Sequence, residues 1–116
     1  GWFDAVGTRY VAEINGCTDL AITKLDVLDS LPEIPVCVAY RYRGERIEDL
    51  PDTFTHELCE PIYEVLPGWQ TATDTAQTLQ DLPRNARAYL DRLIELVQTP
   101  LHSVGVGPHR SQTLLV

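Results

Sequence analysis

The sequence predicts an α/β fold, on three observations. Two segments repeat apolar residues at helical spacing, short runs rich in Val, Ile and Leu lie between and after them, and Gly, Pro or Asn punctuates the joins. Helices alternating with apolar strands build an α/β architecture. A chain of 116 residues with a hydrophobic fraction of 44% can supply the core of one compact domain or of a piece of a larger one. It shows no internal repeat and no linker, so one domain spanning residues 1–116 is expected, with no second.

The first helix is expected from Trp2 to Ile14, where Trp2, Phe3, Val6, Tyr10, Val11 and Ile14 form one apolar stripe. Asn15-Gly16 stops it, since both residues tolerate the left-handed conformation that closes a helix. Leu20 to Thr23 is short and apolar enough for a buried strand. Ile34 to Tyr42 is the clearest strand, and its lack of apolar–polar alternation implies cover on both faces. Arg43-Gly44-Glu45 turns the chain, so that Arg46-Ile47 can pair back as a hairpin.

Between Asp49 and Gln80 the pattern is irregular, with Pro61 to Leu66 a further strand candidate and Thr71 to Thr78 an exposed loop or short helix. The strongest helix is expected from Leu82 to Gln98, with Asp81 as its N-cap, Pro83 in the first turn and Pro100 beyond its end. Ala86, Tyr89, Leu90, Leu93, Ile94 and Val97 make its apolar stripe, opposite Arg87, Asp91 and Glu95. Leu101 to Val106 reads as a strand leading into Gly107-Pro108-His109-Arg110, and Thr113 to Val116 as a last short one.

Composition removes several function classes. A formal net charge of −8 with no basic stripe would repel a phosphate backbone, so nucleic acid is not an expected partner. No run approaches the ~18 apolar residues that span a bilayer, and the N-terminus lacks a signal pattern, so no membrane partner is expected. Cys17, Cys37 and Cys59 form no CxxC pair and no disulfide framework, and are read as reduced cysteines of a cytoplasmic protein. His56 and Cys59 have the spacing of a metal pair, but no second pair completes four ligands, and no metal site is assigned.

Chemistry is expected at two strand ends, because open α/β sheets bind ligands outside the carboxyl ends of their strands. One is Thr23-Lys24-Leu25-Asp26. A strand-end Lys-x-Asp is how many GTPases read guanine: the carboxylate accepts hydrogen bonds from N1–H and the 2-amino group, while the lysine stem lies along the base. Adenine offers neither donor, and the unpaired carboxylate rejects it. The tripeptide alone is better explained as a solvated strand end followed by an aspartate capping a short helix. The other is Val104-Gly105-Val106-Gly107-Pro108, whose glycines allow a close backbone approach and positive φ; it also fits a plain strand-exit turn. It is no Walker loop, since the lysine and the following helix are missing. His56, His102 and His109 have no evident partner, Glu57, Glu60 and Glu64 read as solvated loop charges, and Trp2, Trp69 and the five tyrosines read as packing residues.

Taken in order, longer motifs resemble adenylosuccinate synthetases. Gly1-Trp2-Phe3-Asp4 resembles that family's Gly-Trp-Phe/Leu-Asp helix opening, with Arg9-Tyr10 and Ile14-Asn15-Gly16 matching the later part. Thr23 to Asp29 looks like its Thr-Lys-Leu-Asp-Val/Ile-Leu-Asp signature, and Tyr63 to Trp69 like Tyr-Glu-x-Leu/Met-Pro-Gly-Trp. Val36 to Tyr40, Leu82-Pro83-x-x-Ala86-x-x-Tyr89 and Val104 to Gly107 agree as well, so the resemblance covers Gly1 to Val116. The Gly-Val-Gly turn is similar to the eukaryotic form, whereas Cys37 and Pro108 look bacterial, and His109 stands where many bacterial members have Asp.

The resemblance implies the C-terminal part of a P-loop-NTPase-like mixed sheet with flanking helices. It implies guanine contacts from Lys24, Leu25 and Asp26 and from Gly105, Val106 and Gly107. Family enzymes join IMP and L-aspartate at the expense of GTP, with Mg2+, as homodimers. Their phosphate loop, catalytic Asp and His, magnesium contacts and aspartate loop lie upstream of the region matched. The chain is therefore expected to carry no catalytic residue and no metal ligand, and to lack ligase activity alone. A stand-alone nucleotide-binding or interaction module derived from the same fold is the alternative expectation.

Overall fold

A computed structural model describes residues 2–49 and 59–116. His56 and Glu57 lie outside the described residues. Strand β1 is Phe3–Asp4 and runs directly into helix α1, Ala5–Asn15; β2 is Leu20–Ile22, β3 Glu33–Tyr42 and β4 Glu45–Ile47. The order continues with β5 at Cys59–Pro67, helix α2 at Arg84–Val97, β6 at Leu101–Gly105 and β7 at Thr113–Leu115. Short 3-10 turns occupy Leu25–Leu28, Leu79–Asp81 and Arg110–Gln112. The α/β expectation holds, in the form of two sheets.

In the first sheet β3 is central. It pairs in parallel with β1, antiparallel with β4 through a tight hairpin, and antiparallel with β5 along its whole length. Arg43 and Gly44 both take positive φ, at 52° and 83°, which is the twist a two-residue hairpin needs. Ile34, Val36, Cys37, Ala39 and Tyr40 are all buried, consistent with cover on both faces of β3. In the second sheet β2 pairs in parallel with β6, and β7 returns antiparallel along the other side of β6.

Helix α2 organises the core. Ala86, Tyr89, Leu90, Leu93 and Val97 of its stripe are buried against Ile34 and Val36 of β3 and Ile22, Val104 and Leu114 of the second sheet. Burying such side chains contributes about 2 kcal/mol each. Arg92 on the same helix forms a two-pronged ion pair with Glu64 of β5, at 2.7 and 2.8 Å. Glu64 is thus a paired strand residue rather than a solvated loop charge, and the arginine holds its carboxyl below the ordinary range.

Two boundaries differ from expectation. The first helix begins at Ala5, because Phe3 and Asp4 form a strand, with Phe3 pairing Val36, and Asp4 caps the helix by accepting from the Gly7 N–H at 3.0 Å. Of the expected stripe only Val6 is buried, and Tyr10, Val11 and Ile14 are exposed. Gly16 does close the helix in the left-handed region, at φ 63°. At α2 the N-cap is Pro83 rather than Asp81. Asp81 instead completes a capping box with Thr78 around the preceding turn, accepting from the Gln77 and Thr78 N–H groups.

Candidate functional site

The parallel pairing of β2 with β6 fixes where ligand chemistry can occur. Ile22 sits opposite Val104, so both strands leave the sheet at the same end, and Thr23 meets Gly105 there. A Cβ built on Gly105 would lie 3.5 Å from the Thr23 Cα and 3.6 Å from the Lys24 nitrogen, which is ordinary contact. The two expected segments meet at Thr23 and Gly105, 82 positions apart in the chain (105 − 23), and form adjoining walls.

Between and around them lies an open depression of about 660 Å3 lined by Thr23, Lys24, Asp26, Val27, Gly105, Gly107, Pro108, His109, Arg110 and Thr113. Four of the six expected site residues, Lys24, Asp26, Gly105 and Gly107, are on that lining. The other two, Leu25 and Val106, are buried core residues at 1% and 0% exposure. They anchor the walls: the side chains between the expected contacts point their apolar atoms into the cluster around α2. The Val106 N–H is also engaged, donating to the Gln112 carbonyl at 2.8 Å.

Lys24 holds a left-handed backbone, φ 58°, between the extended β2 and the 3-10 turn that starts at Leu25. That reversal carries Asp26 onto the depression. Lys24 is exposed and Asp26 half-buried, and neither side chain has a hydrogen bond or ion pair among the described residues. A carboxylate so placed has its acceptor sites open.

The glycines work differently from expectation. Neither Gly105 nor Gly107 adopts positive φ. A Cβ on Gly107 would overlap the side-chain amide of Gln112, so a larger residue there would push that amide aside. Its N–H has no partner among the described residues. His109 and Arg110, exposed at the rim, and Gln112 behind the turn were invisible as site components from spacing alone. Only their position just after the Gly-Val-Gly turn hinted at them.

A second cluster explains the rest of the motif. The Asp29 carboxylate accepts from the Trp69 indole N–H, the Thr73 N–H and the Thr73 hydroxyl, each at 2.8 Å. Trp69 and Thr73 are buried, and Trp69 packs on Tyr89 of α2 with ring centroids 5.7 Å apart. Gly68 lies so close to the Leu31 carbonyl that a Cβ would overlap it, while its N–H donates to the Pro32 carbonyl at 2.9 Å. Trp69, Tyr40 and Tyr89 are packing residues as expected, whereas Trp2, Tyr10 and Tyr63 are exposed. Cys17, Cys37 and Cys59 are free thiols.

Among the described residues no three His, Cys, Asp or Glu side chains gather to hold a metal ion, and no helix is long and apolar enough to cross a membrane.

Comparison with known proteins identifies the family. A family model described as adenylosuccinate synthetase matches residues 1–114. The chain is 53% identical over 116 residues to the adenylosuccinate synthetase of a Cyanothece species, and 54% identical over 117 residues to that of Thermosynechococcus vestitus. Each alignment covers 100% of this chain and 26% of the relative, so the chain spans about a quarter of the length of the curated relatives it matches. The solved structure of fully ligated adenylosuccinate synthetase from Plasmodium falciparum superposes with a TM-score of 0.91 at 33% identity, covering 100% of this chain and 28% of that one.

Proposed function

The chain belongs to the adenylosuccinate synthetase family, and we propose that it supplies the guanine-reading site with which such a ligase selects GTP. The reaction is the family's joining of IMP to L-aspartate, driven by GTP with Mg2+. The observation that carries this reading is the Asp26 carboxylate, without a partner among the described residues, on a depression walled by Lys24 on one side and Gly105 and Gly107 on the other.

The chemistry follows from the donor and acceptor sets. Guanine N1–H and the 2-amino group donate to the two oxygens of Asp26, and the Lys24 stem covers one face of the base. The free Gly107 N–H supplies a donor to O6, the one acceptor on that edge. Adenine reverses the pattern at position 6 and has no 2-amino group, so it leaves both Asp26 and the Gly107 N–H unpaired. Leu25 and Val106 contribute by anchoring these two walls in the core. Residues of this chain hold and select the base. We assign phosphoryl transfer, magnesium and the IMP and aspartate contacts to parts of the longer protein. Isolated, the chain is expected to bind guanine nucleotides weakly and to show no ligase turnover.

The direct test is a change of base preference. Asp26→Asn presents an amide, which matches xanthine, whose 2-oxo group accepts where guanine donates. Competition binding is expected to show GDP affinity falling about tenfold, with XDP overtaking it. An Asp26→Asn chain that still prefers GDP over XDP contradicts the assignment.

A further inference from the structure

We infer that Gln112 is a positioning residue for base selection, clamping the Gly105–Gly107 turn so that the Gly107 N–H stays available to the purine O6. The inference rests on the guanine reading above and adds to it a residue that does not line the depression. Three features carry it. Gln112 grips the turn at both ends, its carbonyl accepting from the Val106 N–H at 2.8 Å and its N–H donating to the His109 carbonyl at 2.9 Å. Its side chain ties the same turn to a distant loop, with Oε1 accepting from the His109 N–H at 3.1 Å and Nε2 donating to the Asp74 carbonyl at 3.2 Å. The amide also fills the space where a Gly107 Cβ would stand, so that position admits only glycine while Gln112 keeps its place.

The consequence is specific. Gly107 is followed by Pro108, which has no N–H, so within Val106–Pro108 the one N–H without a partner among the described residues is that of Gly107. Removing the Gln112 side chain leaves the main-chain bonds to Val106 and His109, but it releases the His109 N–H and the tie to Asp74 and opens room beside Gly107. The turn then samples orientations in which the Gly107 N–H no longer meets O6. Asp26 stands on the opposite wall, in the turn after β2, and its grip on N1–H and the 2-amino group is untouched.

Two nucleotide ratios separate these contributions. GDP against IDP reports the 2-amino contact of Asp26, and GDP against 6-thio-GDP reports the O6 contact, since sulfur is a weak acceptor. Both are measured by titration of this chain, following the nitrogen-15 amide spectrum. Gln112→Ala is expected to lower the GDP/6-thio-GDP preference about fivefold while leaving GDP/IDP unchanged. Gly107→Ala, which displaces the same amide from the other side, is expected to do likewise. Gln112→Glu keeps the acceptor for the His109 N–H and is expected to retain most of the preference. If Gln112→Ala lowers both ratios together, or neither, the positioning role is overturned. If the unaltered chain shows neither preference, the guanine reading itself fails and this role falls with it.

Discussion

Two carboxylates three residues apart, Asp26 and Asp29, belong to the same short motif and do opposite things. Asp29 accepts three hydrogen bonds from Trp69 and Thr73, two residues sunk in the core, and so joins the Thr23–Asp29 motif to the Pro67–Trp69 motif some 40 positions on. Asp26 is half-buried on an open depression and has no protein partner among the described residues. In a sequence the two aspartates look alike. What separates them is which donors the fold brings near: a carboxylate saturated by protein donors holds structure, and one left open can read a ligand.

The contrast breaks most sharply at Asp29. Asp29→Ala leaves the Trp69 and Thr73 donors buried without an acceptor and is expected to lower stability by about 3 kcal/mol, measured by urea unfolding. Gly68→Ala attacks the same junction through the backbone, because the new Cβ overlaps the Leu31 carbonyl. A loss of about 2 kcal/mol is expected in the same assay. By contrast, Asp26→Asn is expected to leave the unfolding midpoint within about 0.5 kcal/mol of the parent chain, although it changes base preference.

The smallest effect lies at the Glu64–Arg92 pair, which faces neither site. Arg92 lowers the Glu64 pKa from its ordinary value of 4.5, mainly through the hydrogen bonds, against the opposing pull of burial. A carboxyl with a lowered folded pKa binds its proton later than the unfolded chain does. Its stabilisation is therefore complete above about pH 4.5 and is lost as pH falls below that value. With both side chains about one-third exposed, solvent and salt screening leave roughly 0.5 kcal/mol. Unfolding measured at pH 7 and pH 3 is expected to show this loss in the parent chain and not in Arg92→Ala.

The same logic explains what was legible in the sequence. The α2 stripe was readable because burial follows the helical period, and β3 because consecutive apolar residues signal cover on both faces. Gly16 and the Arg43–Gly44 turn were readable because left-handed backbone favours particular residues. The start of α1 was misplaced because Trp2 and Phe3 happen to continue a helical spacing while Phe3 pairs with β3. Asp81 was misassigned because a capping aspartate fits two successive turns equally well by spacing. The two walls of the candidate site were each visible as strand ends, but their meeting depends on the parallel register of β2 with β6, which spacing does not encode. Nor could spacing reveal the Asp29–Trp69–Thr73 junction or the tie from Gln112 to Asp74, since both are contacts between residues far apart in the chain.

The central claim is that the unpartnered Asp26, with the Gly105–Gly107 turn, reads guanine. Titrating the nitrogen-15-labelled chain with GDP and then ADP tests it most directly. GDP is expected to move the amides of Lys24 to Asp26 and of Gly105 to Gly107 while leaving those around Asp29 and Thr73 in place, and ADP to move neither set. Equal movement at the two walls with ADP, or movement with GDP confined to other residues, would contradict it.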